Sequence, residues 1–138
     1  MMDKPRVPHW EQILAAALTQ ARAQAFIWGQ HDCATWAFDL HRDLTGGPDH
    51  AALWRGRYST PKGCERLRRK LGWNTLEEGG RSLLGEPLAD PRLAQRGDLV
   101  LGCDPEAFGV VIGAKAAFVA PEGLVRVPLA TCRLAWRT

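Results

Sequence analysis

The one stretch of this chain whose residue types and spacing could support covalent chemistry is Trp28-Gly29-Gln30-His31-Asp32-Cys33. The apolar stripe Cys33, Trp36, Ala37, Leu40 and Leu44 predicts a helix from about Asp32 to Leu44, stopped by Thr45-Gly46-Gly47-Pro48. Cys33 then falls in the first turn, where a thiol faces unpaired backbone N–H groups and the positive end of the helix dipole. Both favour thiolate. Asp32 is a natural N-cap, and its carboxylate beside the sulfur opposes ionisation. The architectural alternative makes Cys33 a small hydrophobe heading the stripe. His31 and Asp32 then satisfy backbone groups at the turn and helix start, with Trp28 and Trp36 packed around them.

A nucleophilic thiol normally works with a base. The chain holds His9, His31, His41 and His50, and no histidine after residue 50. His31 lies two residues before Cys33, so its ring could swing back to the sulfur. His41 is eight residues along the same helix, about 12 Å away at 1.5 Å rise per residue. His9 and His50 sit in segments that periodicity does not place. If the thiol acts at all, the catalytic set expected from the sequence is Cys33, His31 and Asp32.

The elements that must position this group follow from patterning. Ile13, Leu14, Ala17, Leu18 and Ala21 recur at helical spacing and predict a helix from about His9 to Gln24. Ser59-Thr60-Pro61 reads as a cap with proline in the first turn, opening a helix to about Leu71 that Gly72 closes. A shorter helix is expected from Thr75 to Leu84. From Arg96 onward the pattern changes to short apolar runs: Leu99-Val100-Leu101, Phe108 to Ile112, Ala116 to Ala120, Leu124 to Val127, and a last strand from Cys132 to Trp136. Turn signals about ten residues apart predict an antiparallel meander. Helices first and strands second is the mark of an α+β domain, and residues 1–138 read as one such domain.

Composition narrows the function classes. The net charge is +3, with arginines spread along the chain. The densest run, Glu65-Arg66-Leu67-Arg68-Arg69-Lys70, reads as a solvated helix face; no basic stripe interleaved with aromatics suggests a nucleic-acid partner. No segment approaches the roughly 18 apolar residues of a membrane span. The N-terminus has no apolar signal core, which predicts synthesis and folding in the cytosol. Cys33, Cys64, Cys103 and Cys132 form no C-x-x-C pair, so neither a local zinc signature nor a disulfide framework is expected. The expectation is no metal and no cofactor. Trp10, Trp54, Trp73 and Trp136 suit either the core or a contact surface.

The order of these motifs resembles a known family. An Asp-Cys pair opening a central helix, a Gly-Asp-Leu-Val strand start at Gly97 to Val100, and Gly109-Val110-Val111-Ile112-Gly113 are similar to NlpC-type, papain-like cell-wall cysteine peptidases. A closer resemblance is to a group of small phage tail proteins. These share the Trp28 to Cys33 element and an ending like Gly123-Leu124-Val125-Arg126-Val127-Pro128 with Ala135-Trp136-Arg137. The likeness runs from about Ala25 to Trp136. It implies a papain-like fold with the nucleophile at Cys33. The family's base falls on Gly109, and its third polar residue falls among Ala116, Ala117 and Phe118; none of these can serve. The resemblance therefore implies a non-catalytic structural or adaptor component of a phage tail tip, assembled in the host bacterial cytoplasm and carried in the virion. Its expected partners are tail hub and tail-tip proteins, with peptidoglycan as a further candidate. The alternative is an active cysteine endopeptidase that cleaves peptidoglycan stem peptides during DNA entry.

Overall fold

The computed structural model describes residues 5–138. Four helices precede a five-stranded sheet: α1 Trp10–Ala23, α2 Cys33–Thr45, α3 Pro61–Lys70 and α4 Leu76–Leu84, then β1 Leu99–Gly102, β2 Ala107–Val111, β3 Lys115–Ala120, β4 Gly123–Pro128 and β5 Leu134–Trp136. The expected α+β architecture is what is observed. Strands β1 to β4 form the antiparallel meander, and β5 returns to the free edge of β1, giving the order β4-β3-β2-β1-β5. The 3-10 turns at His50–Leu53 and Pro91–Leu93 were not legible in the patterning. The last strand starts at Leu134 rather than Cys132 because a 3-10 turn at Leu129–Thr131 captures the Cys132 N–H on Leu129 O at 3.0 Å.

Side-chain caps fix where three of the helices begin. Asp32, Thr60 and Thr75 accept the backbone N–H groups of Thr35, Gly63 and Glu78, satisfying donors that the first turn leaves unpaired. Gly46, with φ +82°, then ends α2 and donates to Arg42 O.

The core forms where α2 lies on one face of the sheet. Ala37 and Phe38 are fully buried against Leu99, Leu101, Phe108 and Val110, with α1 packed behind through Leu14 and Ala21. Phe38 meets the rings of Trp54 and Phe108 edge-on, with centroids 5.3 and 5.0 Å apart, an arrangement that adds to the area buried. The other face carries a second cluster of Val100, Val111, Ala116, Phe118, Leu129, Cys132 and Ala135. Burial on both faces explains why β1 to β3 read as continuous apolar runs rather than as an alternation. Of the six tryptophans, Trp36, Trp54 and Trp136 are core.

One small residue makes room for a large one. An added Cβ at Gly80 of α4 would lie 2.7 Å from the Trp136 ring and 3.2 Å from Phe108. Trp136 is 1 % exposed and its indole N–H donates to Gly85 O at 2.9 Å, so it has little freedom to retreat. Gly80→Ala gains ~1 kcal/mol of helix propensity against ~1–3 kcal/mol of overpacking. The substitution is expected to lower stability by about 1 kcal/mol net in urea unfolding, where propensity alone predicts a rise.

Both ends of the described chain converge on Asp98, which is 0 % exposed. Its carboxylate accepts Arg6 Nη2 at 2.9 Å, Arg137 Nε at 3.2 Å, and the backbone N–H groups of Gln95 and Thr138 at 2.8 and 3.1 Å. Gly97, with φ +93°, lets the Arg6 guanidinium approach, since a Cβ there would sit 2.5 Å from Arg6 Nη1. Among the described residues no helix is long and apolar enough to cross a membrane.

Candidate functional site: a thiol at the start of α2

The segment before α2 is a tight turn closed on itself. Ile27 N–H donates to His31 O at 3.0 Å and His31 N–H to Ile27 O at 2.8 Å. Gly29 is obligatory here: its φ is +81°, and a Cβ would lie 2.2 Å from Tyr58 O. Asp32, 2 % exposed, holds the assembly together. One carboxylate oxygen caps α2 through Thr35 N–H at 2.9 Å; the other accepts Gly29 N–H at 2.8 Å and the Tyr58 hydroxyl. Thr35 in turn accepts the Trp54 indole N–H at 3.2 Å.

Cys33 stands at the floor of a groove of about 350 Å³ between this turn, α3 and α4, with Trp28, Tyr58, Cys64, Arg68 and Glu106 around it. Its thiol is not the activated group that helix position alone predicts. Burial, and after it the Asp32 carboxylate, pushes the pKa up to about 12 from 9.0; the backbone N–H groups of Phe108 and Ala34 pull the other way and are outweighed. The magnitudes explain the outcome. A helix end is worth ~0.3–1 kcal/mol to a charge, whereas each pKa unit of net displacement represents ~1.4 kcal/mol.

The neighbouring groups are held protonated as well. Tyr58 is pushed upward by burial and by donating to Asp32. Burial likewise raises Cys64, against the Tyr58 hydrogen bond. The carboxylates at the groove are engaged: Glu106 with Leu76 N–H at 2.8 Å and Arg133 at 3.2 Å, Glu65 with Arg69 at 2.7 Å, and Asp32 as described.

The structure does not bring His31 to the sulfur. Its ring is 4 % exposed and lies on the other side of the turn, in a polar pocket with Gln20, Gln24, Trp36, Asp39 and Asp43 between α1 and α2. Its Nε2 is buried without a hydrogen-bond partner, Cys33 included. Burial lowers its pKa, opposed by Asp32 and Asp39. His41 and His50 lie parallel, centroids 5.7 Å apart, beside Phe38 further along α2. His9 caps α1. The groove lining contains no histidine. Of the expected set Cys33, His31 and Asp32, only Cys33 and Asp32 share the groove. Among the described residues no cluster of three or more His, Cys, Asp or Glu could hold a metal.

Position 109 has its own reason for glycine. A Cβ there would lie 2.5 Å from Ala117 O and 2.6 Å from the Phe118 ring, on the face of the sheet turned away from α2. The β2 residue opposite the thiol is Phe108, one place earlier. A side chain at 109 would therefore not face Cys33. Gly109→Ala is expected to cost about 1–3 kcal/mol by overpacking, read as a lower thermal midpoint.

Two limbs of pH dependence follow. The folded chain resists protonation of His31 and of His50, also lowered by burial. The unfolded chain takes up those protons below about pH 6.5, so stability falls as pH drops from 7 towards 5. Above pH 9 the unfolded Cys33 thiol ionises while the folded one stays protonated up to about 12. Stability then falls again, by at most ~1.4 kcal/mol per pH unit. Urea midpoints measured from pH 5 to 10.5 are expected to peak between 7 and 9, with a shallower alkaline limb in Cys33→Ala.

Tyr58 and Cys64 complete the groove and were not singled out in the sequence; Tyr58 precedes the Ser59-Thr60 cap, and nothing local marks it as a partner for Asp32. The fold and groove thus define an α+β domain with a shielded helix-start cysteine and no imidazole beside it. Over residues 5–138 the chain matches, and belongs to, the family described as Domain of unknown function (DUF6950). No curated protein matches it.

Proposed function

We propose that this chain is a non-catalytic structural or adaptor component of a phage tail tip, built on a papain-like, NlpC-type fold whose peptidase chemistry is lost. The observation that carries the reading is geometric: no histidine lines the groove around Cys33, and His31 sits in a separate pocket on the other side of the turn. A general base contributes typically ~10²–10⁴ in rate, and here the neighbouring imidazole faces away. The motif order described above supports the tail-tip context, with tail hub proteins as partners. The experiment is incubation of the purified protein with peptidoglycan, alongside co-expression with tail hub proteins. No muropeptide release and co-purification with the hub are expected. Release that disappears in Cys33→Ala overturns the reading in favour of a cell-wall endopeptidase. That second reading draws its support from the open groove above a cysteine at a helix start.

A further inference from the structure

The sequence scatters its four cysteines, but the fold gathers Cys103 and Cys132 at one place. β1 and β5 pair with Leu101 opposite Leu134, and Arg133 N–H donates to Leu101 O at 2.9 Å. Cys103 stands just past the end of β1, and Cys132 stands just ahead of β5, at the close of the 3-10 turn Leu129–Thr131. The Cys103 sulfur lies 3.9 Å from the carbonyl of Thr131, the residue joined to Cys132, and both cysteines line one groove beside Phe118 and Val127. The Cys103 side chain thus touches the peptide unit that leads into Cys132, and a disulfide needs Cα atoms only within ~4.4–6.8 Å of each other.

We propose that Cys103 and Cys132, at the adjoining ends of β1 and β5, are a dithiol that closes into a disulfide when the protein meets a low-molecular-weight disulfide oxidant. The two thiols have complementary exposure. Cys103 is exposed, and Cys132 is buried beneath the strand end. Burial, with Cys103 adding to it, pushes the Cys132 thiol up to about 11, so Cys103 is the thiol that reacts first. Its thiolate attacks one sulfur of oxidised glutathione, forming a mixed disulfide and expelling one glutathione thiolate. The Cys132 thiolate then attacks the Cys103 sulfur and expels the second. The protein loses two electrons and two protons, and the oxidant becomes two glutathione thiols. The bridge ties the segment ahead of β5 to the β1–β2 turn and leaves the Cys33 groove untouched, so the inference stands apart from the proposed function.

The test is incubation of the whole protein with oxidised glutathione, followed by thiol titration in denaturant and peptide mapping. The four free thiols are expected to fall to two, with one linked peptide joining Cys103 to Cys132. The thermal midpoint is expected to rise by several degrees, and Cys103→Ser should retain a free Cys132. Four remaining thiols, a mixed disulfide that persists on Cys103, a disulfide-linked dimer, or a bridge mapped to Cys33 and Cys64 would each overturn the proposal.

Discussion

Asp98→Ala is expected to lower the stability of the folded chain by about 3–5 kcal/mol, a fall in thermal midpoint on the order of 10–20 °C for a domain of this size. The reason is what the carboxylate leaves behind. Arg6 and Arg137 are only 12 % and 15 % exposed at their side chains, and Asp98 is fully enclosed between them. Removing it takes the carboxylate away from two largely buried guanidiniums and leaves two backbone donors, at Gln95 and Thr138, without their acceptor. Each orphaned donor carries its own desolvation cost of ~1–3 kcal/mol. Asp98→Asn keeps an acceptor oxygen but not the charge, and should fall between the two. The exposed pair Asp90–Arg92, 2.7 Å apart, makes a control: Asp90→Ala is expected to leave the thermal midpoint nearly unchanged. A cost for Asp98→Ala no larger than that of Asp90→Ala would mean that Asp98 does not tie the two ends of the chain together.

The second large effect is at Asp32. Asp32→Ala removes the N-cap of α2, worth ~0.5–2 kcal/mol, and leaves Gly29 N–H and the Tyr58 hydroxyl without their acceptor. The sum is about 2–4 kcal/mol in chemical denaturation. Asp32→Asn separates architecture from electrostatics. It keeps an oxygen for the cap while deleting the charge that helps to hold Cys33 protonated. Alkylation of Cys33 at fixed pH should therefore become faster in Asp32→Asn than in the wild type. A catalytic Asp32 predicts the reverse, slower reaction of the thiol.

Local patterning carried much of the fold. The α1 and α2 periodicities, the Thr60 cap with Pro61, and turn signals spaced every ten residues or so place the elements to within a few residues, because each is a short-range effect. Burial on both faces of β1 to β3 shows there as uninterrupted apolar runs. The site was legible only where its causes are local: Asp32 as a cap and Cys33 at a helix start. The rest depends on contacts between distant residues. Tyr58 reaches Asp32 across 26 positions and Arg6 reaches Asp98 across 92, and no periodicity encodes either. The direction of the Cys33 pKa turns on burial, which a helix-start motif does not reveal. His31 illustrates the same gap: two residues of separation allow its ring to face either side of the turn, and only the packing of α1 against α2 decides which.

Everything proposed for the groove depends on sulfur that stays protonated at neutral pH. The direct measurement is the rate of iodoacetamide modification at Cys33 against pH under native conditions, followed by peptide mass spectrometry so that the other three cysteines do not contribute. The rate is expected to be slow at pH 7 and still climbing at pH 10, with no plateau. A plateau near neutrality, giving an apparent pKa well below the ~8.5 of an ordinary thiol, would contradict the account and make Cys33 a working nucleophile.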